Sequence, residues 1–433
     1  MSIGLIGIIL LLALLLLLAS GTPIAFCLGF LATVGIIGFL DIGTLYQIAE
    51  VAADTSTNLF MITLPLFVLM AEVVSFSGVG DDLHTAAHDW LSWLPGGLAI
   101  SSIATCTGFA AVSGSSPATA ATVGLVSIPE MVKRGYNRKL AVGAVAAGGT
   151  LGILIPPSIT MIIVGIITEM SIGKLFIAGI IPGLILSLIM CTATVIAVKL
   201  KPHLAPRMEG VSWKKRFSSL KRVWPFLILA LSILGTIYAG IATPTESASI
   251  GATLAIIIAF FYGRLTIKAL HRALTQTVGV TAMIMFLIIG GSVLAFLFSS
   301  LMIPHHVTDM IVSLGASRWV VMIIINCILL VLGCLLDPMG VMVISLPIIF
   351  PIVTQLGFDP IWFGVIVTIN VEIGMITPPV GLNLFVLKAS VPDLHMKDII
   401  GGSLPFVLLL MLGLALIMVF PSLATWLPGK MGF

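Results

Sequence analysis

The chain has 433 residues, 59% of them hydrophobic and only 9% charged, with a mean hydropathy of +1.24. Soluble domains carry about 25% charged residues, so this composition excludes a soluble enzyme or a nucleic-acid binder and requires a polytopic membrane protein. The formal net charge of +3 informs only when mapped. Residues 1–132 contain no Lys or Arg, whereas Lys133, Arg134, Arg138 and Lys139 cluster in one loop and eight more basic residues fall between Lys199 and Arg222. The positive-inside rule makes both segments cytoplasmic. Cys27, Cys106, Cys191, Cys327 and Cys334 are scattered through apolar sequence without a CxxC pair, so neither a disulfide framework nor a metal site follows.

Residues 3–19 are apolar but lack a basic leading region, and Ala19-Ser20-Gly21 runs directly into Thr22-Pro23 and another apolar segment. They read as a retained transmembrane helix rather than a signal peptide. Further helices are predicted near 24–40 and 58–76; Glu72 in the latter must face a charged partner or an aqueous interior. Residues 77–96 are amphipathic. His84 and His88 share a helical face and could hold a metal with the nearby aspartates, but no HExxH-type base accompanies them, which favours an interfacial helix with Trp anchors. The apolar stretch 98–128 is interrupted by Val112-Ser113-Gly114-Ser115-Ser116-Pro117-Ala118-Thr119. The interruption is either close helix packing or an unwound turn that supplies oxygens. After the basic loop, Ala141–Thr168 carries Gly152-Ile-Leu-Ile-Pro-Pro-Ser158, and a helix near 175–198 follows.

Helices near 224–241 and 247–263 repeat the opening pair. An interfacial stretch at 264–274 precedes a helix at 278–301, and His305-His306 falls in a surface loop. The run 319–353 contains Asp337-Pro338-Met339-Gly340, an acidic residue in apolar sequence and thus a functional candidate; a loop aspartate between two shorter segments is the alternative. Residues 361–389 carry Gly374-Met-Ile-Thr-Pro-Pro-Val380, flanked by Asn370, Glu372, Asn383 and Lys388, with Asn383 placed either to bind a ligand or to pack. A last apolar run spans 399–427.

These features repeat. Pro156 and Pro378 are 378 − 156 = 222 positions apart, as are Pro129 and Pro351, Gly135 and Gly357, Gly152 and Gly374, Gly29 and Gly251, and Ser115 and Asp337. Thr22-Pro23 and Thr243-Pro244 are 221 apart. The chain divides into a first repeat at 1–198 with a hairpin and broken helix at 98–168, a basic cytoplasmic linker at 199–223, and a second repeat at 224–433 with its hairpin and broken helix at 319–389. Loop 129–140 has four basic residues while its counterpart at 351–362 has none, as inverted repeats require. The expected fold is an all-α polytopic membrane protein with two inverted-topology repeats, helical hairpins and discontinuous helices.

Adjacent prolines remove backbone donors and push the preceding residue out of helical geometry. The freed carbonyls survive at membrane depth only against protein or a watery cavity. Carbonyls around 111–116 and 152–157 would form one oxygen-rich pocket and those around 333–337 and 374–380 its partner, suited to Na⁺. Half-helix N-termini would favour an anionic substrate group. No Lys or Arg lies inside the four broken segments, and no phosphate-binding loop is present, which points to ion-coupled uptake. An intramembrane enzyme would need a base, and no His lies in a membrane segment to serve Ser115 or Ser116.

Leu94-Pro95-Gly96-Gly97-Leu98-Ala99, Ser113-Gly114-Ser115-Ser116, Ile128-Pro129-Glu130-Met131 with Gly135-Tyr136, Gly152 to Ser158, Pro182-Gly183 and Thr377-Pro378-Pro379-Val380-Gly381 stand in one order along nearly the whole chain. Together they resemble the large membrane subunit of tripartite ATP-independent periplasmic (TRAP) transporters. The resemblance implies a multi-pass protein of the bacterial inner membrane and an elevator-type architecture. It further implies Na⁺-driven uptake of an organic acid such as a C4-dicarboxylate or sialic acid. Two partners are implied besides membrane lipid: a small four-helix membrane subunit and a periplasmic substrate-binding protein. Because the chain starts at its first helix, the small subunit is expected on a separate polypeptide. Carried onto matching positions, Na⁺ would be held around Ser113, Ser115, Gly152, Ile155 and Pro156, and around Gly333, Asp337, Gly374, Thr377 and Val380. Substrate would meet Ser116, Thr150, Pro157, Ser158, Pro379 and Asn383. Glu72 stands where a small residue is expected. A stand-alone sodium/dicarboxylate symporter, which needs no binding protein, is the alternative.

Overall fold

The computed structural model describes residues 3–207, 210–313 and 315–431. The first half comprises α1 (Ile3–Ala19), α2 (Ile24–Phe39), α3 (Tyr46–Thr57), α4 (Thr63–Ser77), α5 (Val79–Leu91), α6 (Gly97–Ser113), α7 (Ser116–Lys133), α8 (Arg138–Thr150), α9 (Ile159–Thr168) and α10 (Ile172–Leu200). A short helix, α11 (Trp213–Leu220), lies in the linker. The second half comprises α12 (Trp224–Tyr238), α13 (Pro244–Phe261), α14 (Ile267–Ser300), α15 (Ile303–Ser313), α16 (Arg318–Leu335), α17 (Pro338–Gln355), α18 (Pro360–Met375), α19 (Leu382–Ser390), α20 (Met396–Val419) and α21 (Ser422–Thr425). No strand occurs among the described residues, and eight of their helices are long and apolar enough to cross a membrane.

The helix bounds carry the repeat seen in the sequence. Adding 222 to the ends of α7, 116 and 133, gives 338 and 355, the ends of α17. The pairs α6 and α16, α8 and α18, α9 and α19, and α10 and α20 agree to within a few residues. Packing is reciprocal as well: α4 lies on α13 and α2 on α14, while α9 lies on α17 and α7 on α19. Each helix therefore packs against the counterpart of its counterpart's neighbour, as a pseudo-two-fold axis produces.

Three expectations change. The second half has no break between an interfacial stretch and a following membrane helix, because α14 runs unbroken for 34 residues. In the first half the corresponding chain is divided at Asn58, whose side chain accepts from Phe60 N at 2.9 Å and starts a new turn. Its counterpart, Val280, has no side-chain acceptor to cap with, so the helix continues. His305 and His306 lie on α15 rather than in a loop, with His305 Nδ1 3.2 Å from Gln355 Nε2. The last apolar run also ends early, as Pro421 stops α20 at Val419.

Following the chain from the basic loop fixes sidedness. The α6–α7 hairpin begins and ends at the cytoplasmic face, since its second arm ends at Lys133. Tracing backward, Thr63 of α4 lies at the periplasmic side and Ile24 of α2 at the cytoplasmic side. Tracing forward through α10 and the linker puts Pro244 of α13 at the periplasmic side and makes α16–α17 a hairpin entering from the periplasm. The amphipathic α5 packs on α6 and buries Val79, His84, Ala86 and Asp89. Its histidines diverge: His84 Nδ1 is 3.3 Å from Ser127 Oγ and its Nε2 3.6 Å from Glu130 Oε2, whereas His88 Nδ1 meets Asp89 Oδ1 at 3.3 Å. Lys215 of α11 reaches the same Asp89 oxygen at 3.6 Å, tying the linker to α5. Glu72 is partly exposed on α4, within the electrostatic reach of Arg272 on α14.

Candidate ion and substrate site

Both hairpins and both broken helices come to a common level. The α6–α7 turn is made by Gly114 at φ +59°, a left-handed conformation that favours glycine. The α8–α9 break crosses it: Ile159 N donates to Gly114 O at 3.3 Å. The second half repeats the crossing, with Val380 N and Gly381 N both reaching Cys334 O, at 3.2 and 3.4 Å. The Pro156-Pro157 and Pro378-Pro379 peptides are both cis.

In the first half the crossing gathers oxygens. Ser113 Oγ is 2.6 Å from Thr119 Oγ1, and Thr119 Oγ1 donates to Ser115 O at 2.8 Å. Gly152 closes the cluster: a Cβ placed on it would lie 2.7 Å from Ser115 O and 2.9 Å from Thr119 Oγ1. Ser113, Ser115 and Gly152 thus meet, with the backbone at Pro156 and Pro157 beside them, since Pro157 O would be 2.7 Å from a Cβ on Gly114. Ile155 directs its side chain elsewhere, against Gly183 of α10. Thr119 lies in the hydroxyl-rich stretch but outside the expected ligand set; its place one helical turn beyond Ser115 is the sequence signal that brings it into the cluster.

The second cluster is built differently. Gly333 and Gly374 pack backbone to backbone so closely that a Cβ on Gly374 would clash with the Gly333 main chain. Asp337 stands where Ser115 does, and its Oδ2 accepts from Met339 N at 3.1 Å and Gly340 N at 3.4 Å, capping α17. Leu335 and Val341 replace Ser113 and Thr119, so the hydroxyls are lost there. Thr377 supplies one from the α18–α19 break, in place of Ile155, and it donates to Ile373 O at 2.6 Å. Val380 contributes its N–H to Cys334 O and leaves its side chain exposed.

The residues expected at the substrate separate into three groups. Ser116 and Asn383 are buried and joined, Asn383 Nδ2 donating to Ser116 Oγ at 2.7 Å across the two halves, with Asn383 Oδ1 unbonded. Thr150 and Ser158 are also buried, but their hydroxyls serve local structure: Thr150 donates to Ala147 O at 2.7 Å and Ser158 caps α9 by accepting from Met161 N at 3.2 Å. Pro157 abuts the hairpin turn, and Pro379 is exposed. Nearby, Glu372 is fully buried with neither carboxylate oxygen hydrogen-bonded, and Asn370 Nδ2 donates to Asn326 Oδ1.

A cavity of about 370 Å³ lies between the tips and the surrounding helices. Ser115 and Pro117 at the start of α7, Ile159 and Thr160 of α9, Asp337 and Met339 of α17, and Leu382 of α19 all border it. Its far wall is Pro23, Ile24 and Ala25 at the start of α2 with Met283 and Leu287 of α14. Four half-helices therefore point their N-termini into one space, while the carbonyl ends of α6, α8, α16 and α18 lie behind it at the oxygen clusters. Helix N-termini carry about half a positive charge each, and no Lys or Arg lines the cavity. The arrangement can hold an anion on one side and hard cations on the other.

The comparisons agree with this architecture. A family profile described as "Tripartite ATP-independent periplasmic transporter, DctM component" matches residues 11–423. The C4-dicarboxylate TRAP transporter large permease protein DctM of Pseudomonas aeruginosa is 38% identical over 380 residues, 88% of each chain. The ectoine TRAP transporter large permease protein TeaC of Halomonas elongata is 33% identical over 404 residues, covering 92% of this chain and 93% of that one. Among solved structures, the Alcanivorax borkumensis YdaH transporter aligns with a TM-score of 0.59 at 15% identity, covering 97% of this chain and 99% of that one, a likeness of fold alone. Homologues with these names are permeases of the inner membrane. The chain therefore belongs to the DctM component, the large permease, of tripartite ATP-independent periplasmic transporters.

Proposed function

We propose that the chain imports an organic acid through the inner membrane, driven by Na⁺. The observation that carries this reading is the cavity bordered by four half-helix N-termini and backed by two oxygen clusters. A carboxylate entering it meets aligned N–H dipoles in place of a lysine or arginine. Na⁺ behind it, near Ser113, Ser115, Thr119 and Gly152 on one side and Gly333, Asp337, Gly374 and Thr377 on the other, adds the positive charge that side chains do not supply. Bound cation and bound anion then stabilise each other, which couples their movement.

Transport in this reading divides the molecule into two bodies, one carrying both hairpins and broken helices and one formed by α2, α4, α13 and α14. The first slides along the second, exposing the cavity in turn to either side of the membrane, and the two inverted halves, 1–198 and 224–433, supply matching tracks. A small membrane subunit would complete the fixed body, and a periplasmic binding protein would deliver the substrate. C4-dicarboxylates and ectoine, the compounds in the names of its relatives, are the first candidates.

The test is competition. In proteoliposomes holding this chain and its small subunit, a labelled organic acid is taken up with the binding protein present, and carboxylates are offered against their neutral amides. Carboxylates are expected to compete only when Na⁺ is present. Equal competition by the amides would show that the helix N-termini do not select for charge.

A further inference from the structure

A second cavity lies on the far side of the broken helices, at their cytoplasmic end. It is a groove of about 590 Å³ between the start of α8, the end of α10 and the first half of α20, a volume within the range of ligand pockets. Its lining changes character along its length. Lys139, in the first turn of α8, and Lys201, just after α10, stand at one end. Toward the membrane interior the walls are Ala193 and Ala197 of α10 and Pro405 and Leu409 of α20, with no charged group among them.

The dimensions match one leaflet of a bilayer. Along α10 the groove runs from Lys201 back to Ala193, 201 − 193 = 8 positions, and along α20 from Gly401 to Leu409, 409 − 401 = 8 positions. At 1.5 Å per residue each wall is about 12 Å long, against about 15 Å for half of a bilayer's hydrocarbon core. Lys139 belongs to the basic loop that marks the cytoplasmic face, so the charged end falls at headgroup depth and the apolar end points toward the midplane. Gly401 leaves the mouth open, and Lys139 reaches across it: Lys139 Cε and Nζ would lie 3.5 and 3.6 Å from a Cβ on that glycine.

The charged end is unbalanced. Neither lysine has an ion-pair partner among the described residues. The first turn of α8 holds Arg138 and Lys139 and no acidic residue, although a helix N-terminus is already positive and favours anions. Its cap, Asn137, which accepts from Lys139 N at 3.0 Å, is neutral.

We propose that this groove holds an anionic glycerophospholipid of the cytoplasmic leaflet, its phosphate between Lys139 and Lys201 and an acyl chain against Ala193, Ala197, Pro405 and Leu409. A free anion would use only the charged end of the groove. A zwitterionic lipid would bring its own ammonium group against the lysines. Net negative charge joined to a long apolar chain satisfies both ends, as in basic pockets between membrane helices on the cytoplasmic side. The groove is separate from the cavity between the hairpin tips, and the proposal holds whichever substrate and coupling ion the permease uses.

The test takes the permease with its small membrane subunit, purified in detergent and supplied with phosphatidylglycerol or with phosphatidylethanolamine of the same acyl chains. Bound lipid is read by native mass spectrometry. Phosphatidylglycerol should be retained in preference. A lysine beside an anionic headgroup contributes about fivefold in affinity, so Lys139→Gln with Lys201→Gln should weaken retention about 25-fold. Lys199→Gln with Lys397→Gln removes equal charge from the same face outside the groove and should leave retention unchanged. Added phosphatidylglycerol should raise the melting temperature of the unmodified protein and of this second pair, but not of the first. For the apolar end, p-benzoylphenylalanine in place of Leu409 should photolink to phospholipid. Equal retention of the two lipids, equal weakening in both lysine pairs, or displacement of the lipid by inorganic phosphate would overturn the proposal. A photolink from position 409 to the small subunit would overturn it too, because protein would then cover the groove.

Discussion

Substituting Gly152 by Ala perturbs the first oxygen cluster with a single methyl group. The added Cβ would lie 2.7 Å from Ser115 O, 2.9 Å from the Ser115 carbonyl carbon and 2.9 Å from Thr119 Oγ1. Ordinary contact begins near 3.4 Å, so the Ser115 carbonyl must retreat by about 0.7 Å, and it is main chain, without a rotamer to yield. Overpacking of this kind costs about 1–3 kcal/mol. If the strain is relieved by opening the cluster, the cation loses its donor geometry. At about 1.4 kcal/mol per tenfold, half-activation by Na⁺ should then shift upward by about 5- to 140-fold. The assay is the Na⁺ dependence of organic-acid uptake in proteoliposomes, with the melting temperature measured in parallel. Gly29→Ala is the control, because nothing lies within 4 Å of its Cβ; it should leave both quantities unchanged. A Gly152→Ala protein that transports with unchanged Na⁺ half-activation would refute the assignment of a cation to this cluster.

Other outcomes follow from single contacts. Asp337→Asn keeps an N-cap of equal quality, so the protein should fold normally while Na⁺ activation weakens; Asp337→Ala should lose about 1 kcal/mol of stability in addition. Unchanged Na⁺ activation in the Asn variant would reduce Asp337 to a cap. Asn383→Ala removes the 2.7 Å bond to Ser116 between the halves and should cost about 1–3 kcal/mol through the buried group left unpaired, read as a lower melting temperature. At the cytoplasmic end of α7, contact with His84, aided by the Arg134 guanidinium, holds the Glu130 carboxyl at about 2, below its ordinary 4.5. A depressed folded-state value means that its stabilisation is complete above pH 4.5 and is lost as pH falls toward 2. Glu130→Gln should therefore lower the melting temperature at pH 7 and differ less from the unmodified protein at pH 3; an equal difference at both would contradict the pairing.

The architecture was legible because its determinants are local and repeated. Double prolines break these helices, and their shared offset of 222 marks two halves without reference to any tertiary contact. The cap residues that begin α7 and α17, Ser115 and Asp337, were visible for the same reason. What the sequence concealed depends on packing between distant segments. Thr119 became part of the oxygen cluster only because Gly152, from another helix, closes on it. Ile155 turns its side chain against Gly183 of α10, so only its main chain is available to the cluster. The hydroxyls of Thr150 and Ser158 are engaged within their own segments, which residue type alone does not reveal. The fused α14 turned on one position, Val280 in place of Asn58, a difference that helical periodicity does not register because both stretches are apolar.

The central claim is that this permease moves an organic acid with Na⁺ when a binding protein delivers it. The most direct test is uptake by proteoliposomes containing the chain and its small membrane subunit, under an inward Na⁺ gradient, with and without the periplasmic binding protein. The account predicts accumulation only when gradient and binding protein are both present. Accumulation without the binding protein would identify a stand-alone symporter, and accumulation indifferent to Na⁺ would contradict the cation sites on which the mechanism rests.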